Sequence, residues 1–247
     1  MMSVSTGNRR VFRFSLSALL LTVAACAAFF AWLRVPLEQV RREAAIAKRV
    51  EQLGGRVTWG GSLEGKGKQG RSYIGAIDLN GAEVTQVDLA AIGELTELTH
   101  LSLNDTQITD AGVALLGGLP RLEQIELSGT KISDVGVRRL SALSTLQVIQ
   151  LKRCAISDDA LDSLGSLKRL WLVRLDQTPI TDQGLQSLTR LPALRTLGLS
   201  GTRVTDAGLE LLRELKQLEM LYLDDTAVTD DAITRFNAEM PNDPALR

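Results

Sequence analysis

The chain has 247 residues, of which 45% are hydrophobic and 23% are charged, and its net charge is −1. This charge is unevenly spread: residues 1–73 carry 12 Lys/Arg and 4 Asp/Glu, giving +8, whereas residues 74–247 carry 16 and 25, giving −9. The acidic larger part argues against nucleic-acid binding, because binding to phosphates needs a basic surface. One histidine and two cysteines leave little for a catalytic triad or a metal site.

A run of 19 uncharged residues, 15–33, follows a short basic tail over 1–14. A helix of this length spans about 28 Å, close to the ~30 Å hydrocarbon core of a bilayer. Arginines flank the run on both sides, and Trp32 lies near one end, as is typical of membrane-spanning segments. We expect residues 15–33 to form a transmembrane or signal-anchor helix, which would make this a single-pass membrane protein.

Two other interpretations of this segment stay open. Small residues at Ala25-Cys26-Ala27 suit cleavage as an ordinary signal peptide. The stretch Val23 to Cys26 resembles a bacterial lipobox, in which the cysteine is acylated after cleavage. The apolar run continues through Trp32, beyond either cleavage site, and this favours an uncleaved anchor.

The next two segments are predicted to connect the anchor to the rest of the chain. Residues 35–53 have apolar positions at helical spacing and end at Gly54-Gly55, which predicts an amphipathic juxtamembrane helix acting as a stalk. Residues 56–73 hold two predicted strands around a loop rich in glycine and lysine. We expect them to form an N-terminal cap, with Trp59 and Tyr73 covering the open end of the following region.

Residues 74–240 contain one pattern seven times, with a fixed spacing of 24 residues and no insertion. The units begin at Ile74, Leu98, Leu122, Leu146, Leu170, Leu194 and Leu218. Counting from each of these, apolar residues recur at positions 1, 4, 6 and 11, and position 9 is usually threonine. Repetition at such a period predicts a solenoid of stacked units.

Each unit is predicted to be one short strand followed by one short helix. The alternating apolar residues at its start suit a strand with one buried face. A Ser/Thr-Asp pair follows, whose hydroxyl and carboxylate suit the start of a helix. This alternation predicts a parallel sheet on one side and helices on the other, and a loosely ordered polar tail over 241–247.

The motif L-x-x-L-x-L-x-x-T-x-I-T-D-x-G-L resembles the leucine-rich repeat family in its short bacterial form, similar to the cysteine-containing subclass. The resemblance implies an α/β solenoid that binds protein partners on its strand face. Basic residues number three before the anchor and five after it, which weakly favours cytoplasmic repeats. Resemblance to bacterial proteins that join such an anchor to these repeats favours export instead.

The outward strand positions are the candidate partner-binding surface. Apolar residues stand there where water would favour polar ones, together with the residue types that are enriched in interfaces. The candidate residues are Val148, Gln150, Trp171, Leu172, Arg174, Met220 and Tyr222. Lys152 and Arg153 add positive charge in the unit that begins at Leu146.

These features predict a membrane-anchored protein-interaction module that is not an enzyme and needs no cofactor, metal ion or small-molecule substrate. A structural spacer at the envelope without a specific partner is one alternative. A recruiting subunit of an enzyme complex is another, and it rests on fold analogy alone. The single histidine, His100, falls at an outward strand position without catalytic neighbours in the sequence.

The anchor can be tested by fractionation. We expect the full-length protein to stay in the membrane pellet after carbonate washing, because about 19 apolar residues can span the bilayer. A chain that begins at Val35 should be soluble. Release of the full-length protein by carbonate would contradict the anchor, and a mature chain that begins with a lipidated Cys26, seen by mass spectrometry, would establish the lipoprotein instead.

Overall fold

The computed structural model describes residues 38–61, 73–242 and 244–246. It divides the chain into two compact units, Met1–Arg42 and Glu43–Arg247. The predicted membrane segment, 15–33, lies outside the described residues, as does the tail over 1–14. Within the described ranges, no helix is long and apolar enough to cross a membrane.

Strands and helices alternate along the described chain. The helix α1 covers 38–52. The strands are β1 Arg56–Gly60, β2 Tyr73–Asp78, β3 His100–Ser102, β4 Gln124–Glu126, β5 Val148–Gln150, β6 Leu172–Arg174, β7 Thr196–Gly198, β8 Met220–Tyr222 and β9 Ala245–Leu246. The remaining helices are α2 Gln86–Ile92, α3 Asp110–Ala114, α4 Asp134–Leu140, α5 Asp158–Leu164, α6 Asp182–Leu188, α7 Asp206–Leu211, followed by a 3₁₀ turn at Leu212–Glu214, and α8 Asp230–Glu239.

The strands of residues 43–247 form one sheet in sequence order, β1 to β9. The first pair, β1 and β2, is antiparallel, and each later pair is parallel. Each residue of β3 to β8 lies beside the residue 24 positions earlier, as Ile149 lies beside Ile125 and Val173 beside Ile149. The prediction of a parallel sheet built from alternating strands and helices is therefore confirmed.

The core is built from the same positions in every unit. In the unit from Leu146, positions 1, 4 and 6 are Leu146, Ile149 and Leu151, and all three are completely buried. The helix of that unit adds Leu161 and Leu164, also completely buried. Each such side chain contributes roughly 2 kcal/mol by leaving water, but a three-residue strand has no core of its own, so the stability comes from stacking.

The threonine column at position 9 satisfies the turn after each strand. The buried hydroxyl of Thr178 donates to the carbonyl of Leu175 at 2.6 Å, and the same bond occurs at Thr106, Thr130 and Thr202. Cys154 occupies this position in one unit, with its Sγ 3.2 Å from the carbonyl oxygen of Leu127. Burial raises the pKa of the Cys154 thiol, which keeps it protonated.

An aspartate at the start of each helix from α3 to α7 links one unit to the next. The Asp158 carboxylate accepts from the backbone N–H of Thr181 at 2.9 Å and from its hydroxyl at 2.6 Å. Asp110, Asp134, Asp182 and Asp206 make the same pair of bonds with Ser133, Ser157, Thr205 and Thr229. The aspartates therefore join the units in a continuous ladder.

The predicted capping by the Ser/Thr hydroxyl holds at some helices only. At Ser133, Thr181, Thr205 and Thr229 the hydroxyl accepts from a backbone N–H in the first helical turn. At Thr109 and Ser157 it makes no such bond, so the prediction is wrong there.

The N-terminal cap differs from the one predicted. The segment 35–53 was expected to be a stalk, but in α1 Ala47 and Val50 are buried in the core. The Glu43 carboxylate accepts from the backbone N–H of Ile74 at 3.2 Å. Trp59, expected to cover the core, is 48% exposed. The second half of α1 therefore takes the place of a preceding unit, because the apolar end of the first unit would otherwise face water.

The first unit departs from the repeat pattern at Asp88, and α1 explains why. Asp88 holds the position at which a later unit has Gly136, which lies against the Asp110 carboxylate of its preceding unit. The first unit has no preceding aspartate, so a larger side chain fits. The Asp88 carboxylate accepts from Nε of Arg49 in α1 at 2.8 Å and from the Thr85 hydroxyl at 2.7 Å.

The C-terminal residues continue the sheet. In β9, Ala245 pairs with Leu221, 24 residues earlier, and is 5% exposed. The side chain of Asn237 bonds both the N–H and the carbonyl of Ala245, at 2.9 and 3.1 Å. The predicted loose tail over 241–247 is therefore wrong at β9, where the period persists although Ala245 replaces the expected leucine.

The ion pair between α1 and the first unit predicts a pH dependence. The hydrogen bond from Arg49 is the largest cause that lowers the Asp88 pKa from 3.8 to about 2, helped by Thr85 and opposed by burial. Because the folded-state pKa lies below the unfolded one, the pair stabilises the fold above about pH 4, and this contribution is lost as the pH falls towards 2.

We therefore expect Asp88→Asn to lower the free energy of unfolding by about 1–2 kcal/mol at pH 6, with the difference from wild type shrinking between pH 4 and pH 2. Urea titrations across this range measure it. Arg49→Met should reproduce most of the same pH dependence, and a loss for Asp88→Asn that is equal at pH 6 and pH 2 would contradict the assignment.

Candidate protein-interaction surface

Four outward positions of each unit, 3, 5, 7 and 8, form what we call the strand face. Positions 3 and 5 come from β2 to β8, where parallel pairing aligns them in columns. Positions 7 and 8 follow each strand. Leu172 thus lies beside Val148, and Arg174 lies beside Gln150, as the sequence predicted for the candidate residues.

The candidate residues differ in exposure. Met220 is 45% exposed and Trp171, just before β6, is 38% exposed. Leu172, Arg174, Tyr222 and Gln150 are half-buried. Val148 is only 6% exposed and offers little surface to a partner. We call Trp171, Leu172, Arg174, Met220 and Tyr222 the C-terminal patch.

Arg174 is held in place on both sides. Its Nε lies 2.8 Å from Oδ2 of Asp176, and its Nη2 lies 3.4 Å from Oδ1. Its guanidinium carbon lies 4.5 Å from the centroid of the Tyr222 ring, which is a cation–π distance. The Tyr222 hydroxyl in turn donates to Sδ of Met220 at 3.4 Å. These side chains are therefore ordered before any partner arrives.

Glycine on the intervening strand makes this stack possible. Arg174 lies in β6 and Tyr222 in β8, two strands apart, which is about 10 Å between backbones. Between them, Gly198 of β7 has no side chain, and a Cβ built there would lie 2.7 Å from Cδ of Arg174. Sequence reasoning missed Gly198 and Asp176. The signal was present, because Arg174, Gly198 and Tyr222 stand 24 residues apart in one column.

A second contact between side chains two units apart, from Arg153 to Asp105, passes over Gly129. Nη2 of Arg153 lies 2.7 Å from Oδ1 of Asp105, although these residues are 48 positions apart, and Gly129 stands between them in the same column. Beside it, Nζ of Lys152 lies 4.0 Å from Oδ2 of Asp176. We call Lys152, Arg153 and Arg174 the basic cluster. They line a cavity of about 440 Å³ together with Asp105, Asp176 and uncharged polar residues.

The other end of the strand face is polar. The Glu126 carboxylate accepts from the side chains of Gln124 and Asn104 at 2.6 and 2.8 Å. His100 is exposed, with its Nδ1 2.7 Å from the Thr99 hydroxyl. Among the described residues, no group of three or more His, Cys, Asp or Glu side chains is placed to hold a metal ion.

The comparisons with known proteins agree with this geometry. Residues 96–139 match the family model described as leucine-rich repeats, two copies. Comparison with curated proteins gives no match.

Solved structures show the same fold at low sequence identity. An internalin, inlF, of Listeria monocytogenes is 21% identical with a TM-score of 0.49, over 69% of this chain and 52% of its own. Internalin C2 of the same species is 23% identical with a TM-score of 0.50, over 76% and 86%. The mouse RP105/MD-1 complex is 19% identical with a TM-score of 0.51, over 66% and 27%. The matched region thus spans about half of the first internalin.

The close approach of Arg174 to Gly198 gives a prediction about the strand face. Gly198→Ala should displace Arg174 from Tyr222 and lower the free energy of unfolding by about 1–2 kcal/mol, through the lost stack and the disturbed ion pair. Urea unfolding measures this. In an Arg174→Ala background the same substitution should cost about 1 kcal/mol less, since the clash with Arg174 is gone and only Oδ2 of Asp176, 2.7 Å from the added Cβ, has to move. Equal costs in both backgrounds would rule out the proposed role of Gly198.

Proposed function

We propose that this protein is a membrane-tethered interaction module that binds a protein partner through the C-terminal patch. The observation that carries the proposal is the preordered group of Arg174, Tyr222 and the exposed Met220, with the exposed Trp171 just before the strand that holds Arg174. Trp, Tyr and Arg are the types that dominate binding energy in interfaces, and side chains fixed in advance lose less entropy on binding.

The helix side offers a weaker alternative surface. Its large exposed hydrophobic residues are aliphatic and come from separate helices or their ends, namely Val87, Leu115, Val135 and Leu211. Aliphatic residues that are exposed singly are ordinary on soluble surfaces. The strand side brings aromatic, sulfur and guanidinium groups together in adjacent columns, which is why we place the partner there.

The comparisons support a binding role at the level of the family. Leucine-rich repeat proteins generally act in protein–protein interactions, and the mouse structure is that of a complex, RP105/MD-1. Their low identity to this chain does not identify a partner.

The membrane tether is proposed from the sequence of residues 15–33 and the arginines around it. The repeats are proposed to be exported, on the resemblance to bacterial anchored repeat proteins. A tether of this kind restricts the module to a surface and raises the local concentration of any partner held at the same membrane.

A direct test compares matched surface variants. Trp171→Ala and Met220→Ala should each weaken binding of the captured partner by about 1–3 kcal/mol, because they remove exposed anchors of the patch. Both should change the free energy of unfolding by less than about 0.5 kcal/mol. Affinity capture with wild-type protein, followed by calorimetry with the purified partner, gives these values.

Two controls separate binding from folding. Leu211→Ala removes an aliphatic side chain of similar exposure, 37%, on the helix side and should leave binding unchanged. Val173→Ala opens a cavity in the core and should cost about 1–3 kcal/mol of stability while the surface groups remain. If both patch variants bind the captured partner as wild type does, the contact lies outside the C-terminal patch. Failure of the wild-type protein to capture any partner would favour the spacer instead.

A further inference from the structure

We infer that the partner presents a carboxylate, from an aspartate, a glutamate or a chain end, to Lys152 and Arg153 beside the C-terminal patch. The inference rests on the proposed function and specifies the chemistry of the partner. It follows from three independent observations: the distribution of charge on the strand face, an interruption in its hydrogen-bond ladder, and the backbone conformation of Arg153.

Charge on the strand face is concentrated in one place. Its four columns contain three Lys/Arg residues, all in the basic cluster of the fourth and fifth units. Its carboxylates are spread over the other units as well, at Asp78, Asp105, Glu126, Asp176, Asp224 and Asp225. In a repeat region of net charge −9, this cluster is the place on the strand face where an acidic group meets attraction, while the surrounding carboxylates repel it elsewhere.

The cluster coincides with a gap in a ladder along position 7. In the first units, the side-chain oxygen of Asn80 accepts from the N–H of Asn104 at 2.7 Å, and that of Asn104 accepts from the N–H of Ser128 at 2.8 Å. Lys152 stands next in the column and can only donate. In the described part of the chain, the backbone N–H of Asp176 therefore has no side-chain acceptor. The ladder breaks again at Asp224, where the Ser200 hydroxyl donates to the Asp224 carboxylate at 3.2 Å, but only the first gap adjoins the basic cluster.

The backbone at Arg153 is also unusual. Position 8 has a positive φ in every unit, and glycine fills it at Gly81, Gly129 and Gly201. Aspartate, which tolerates this region, fills it at Asp105 and Asp225. Arg153 and Gln177 have φ values of 56° and 58° and gain no such local relief. Long side chains are thus kept in this conformation in two neighbouring units, and both line the cavity beside the basic cluster.

The ion pairs that Lys152 and Arg153 already make are weak enough for these residues to bind another carboxylate. Arg153 and Asp105 are both more than half exposed, and such surface pairs are worth about 0–1 kcal/mol. Nζ of Lys152 is at the outer limit of an ion pair with Asp176, whose carboxylate is chiefly bonded to Arg174. An incoming carboxylate can therefore recruit Lys152 and Arg153 without breaking the Arg174–Asp176 bond that orders the patch.

The protein's own repeats supply the test substitutions. Lys152→Asn introduces the residue found at Asn80 and Asn104, which can restore the missing acceptor. Arg153→Asp reverses the charge with a residue that units two and seven already place at this φ. Arg153→Gly removes the charge and relieves the backbone. None of the three should lower the melting temperature by more than a few degrees, and Lys152→Asn should raise it.

The experiment uses the full-length chain in detergent micelles and a displayed library of random peptides. Peptides selected on wild-type protein should be enriched in Asp or Glu next to a large apolar residue. Their affinity, measured by fluorescence polarisation, should fall about tenfold or more for Lys152→Asn and Arg153→Gly. Replacing the acidic residue of the peptide by lysine should abolish binding to wild type and restore it to Arg153→Asp. Arg203→Asp, a charge change outside the strand face, is the matched control and should have no effect.

Other outcomes overturn the inference. Selected peptides without acidic enrichment, or acidic peptides that bind Lys152→Asn and Arg153→Gly as they bind wild type, show that the cluster does not read a carboxylate. If those peptides are still lost with Trp171→Ala, the proposed function stands without this refinement. If they are insensitive to Trp171→Ala as well, both fail. Retention of single-stranded nucleic acid by wild type but not by Arg153→Asp would assign the cluster to phosphate and also overturn the inference.

Discussion

The bond between neighbouring units is the constraint on which the rest of the structure depends. Each strand is three residues long and each helix about two turns, so no unit has an independent core. The aspartate of one unit holds both the N–H and the hydroxyl of the next helix start, as Asp158 does with Thr181. This link and the strand pairing recur at the same 24-residue step, so the columns stay aligned from one unit to the next. The dependence on stacking also explains why both ends of the repeat array are covered, by α1 at the N-terminal end and by β9 at the C-terminal end.

The regular stacking of the units also determines which side chains on the strand face can contact one another. Equivalent positions lie in straight columns, so a glycine in one unit leaves a space through which the side chains of the two neighbouring units can reach each other. Gly198 leaves such a space for Arg174 to reach Tyr222, and Gly129 leaves one for Arg153 to reach Asp105. Surface groups two units apart can therefore act together. In a solenoid, the pattern of small residues within a column is as informative about the surface as the large residues are.

The sequence was most informative where the period and the residue types agreed. Positions such as Leu146, Ile149 and Leu151 identified every strand of the repeats, and the outward columns followed directly. The capping role of α1 was missed because its apolar residues, Ala47 and Val50, fit a stalk helix equally well. β9 was missed because Ala245 keeps the spacing but not the leucine. The Arg174–Tyr222 stack could not be predicted from residue types alone, since it depends on side-chain reach across an empty position.

Cys154 has a consequence for motion within the solenoid. Its thiol sits in the threonine column, bonded to Leu127 of the preceding unit, and its pKa is raised by burial. Cys154 is 3% exposed, so a thiol reagent reaches it only when the packing around it opens, and burial disfavours the deprotonated form until then. The rate at which Cys154 is alkylated thus reports how often the middle of the repeat array opens locally. Because Cys154 is next to Arg153 in the sequence, a ligand bound across Lys152 and Arg153 would lower this rate.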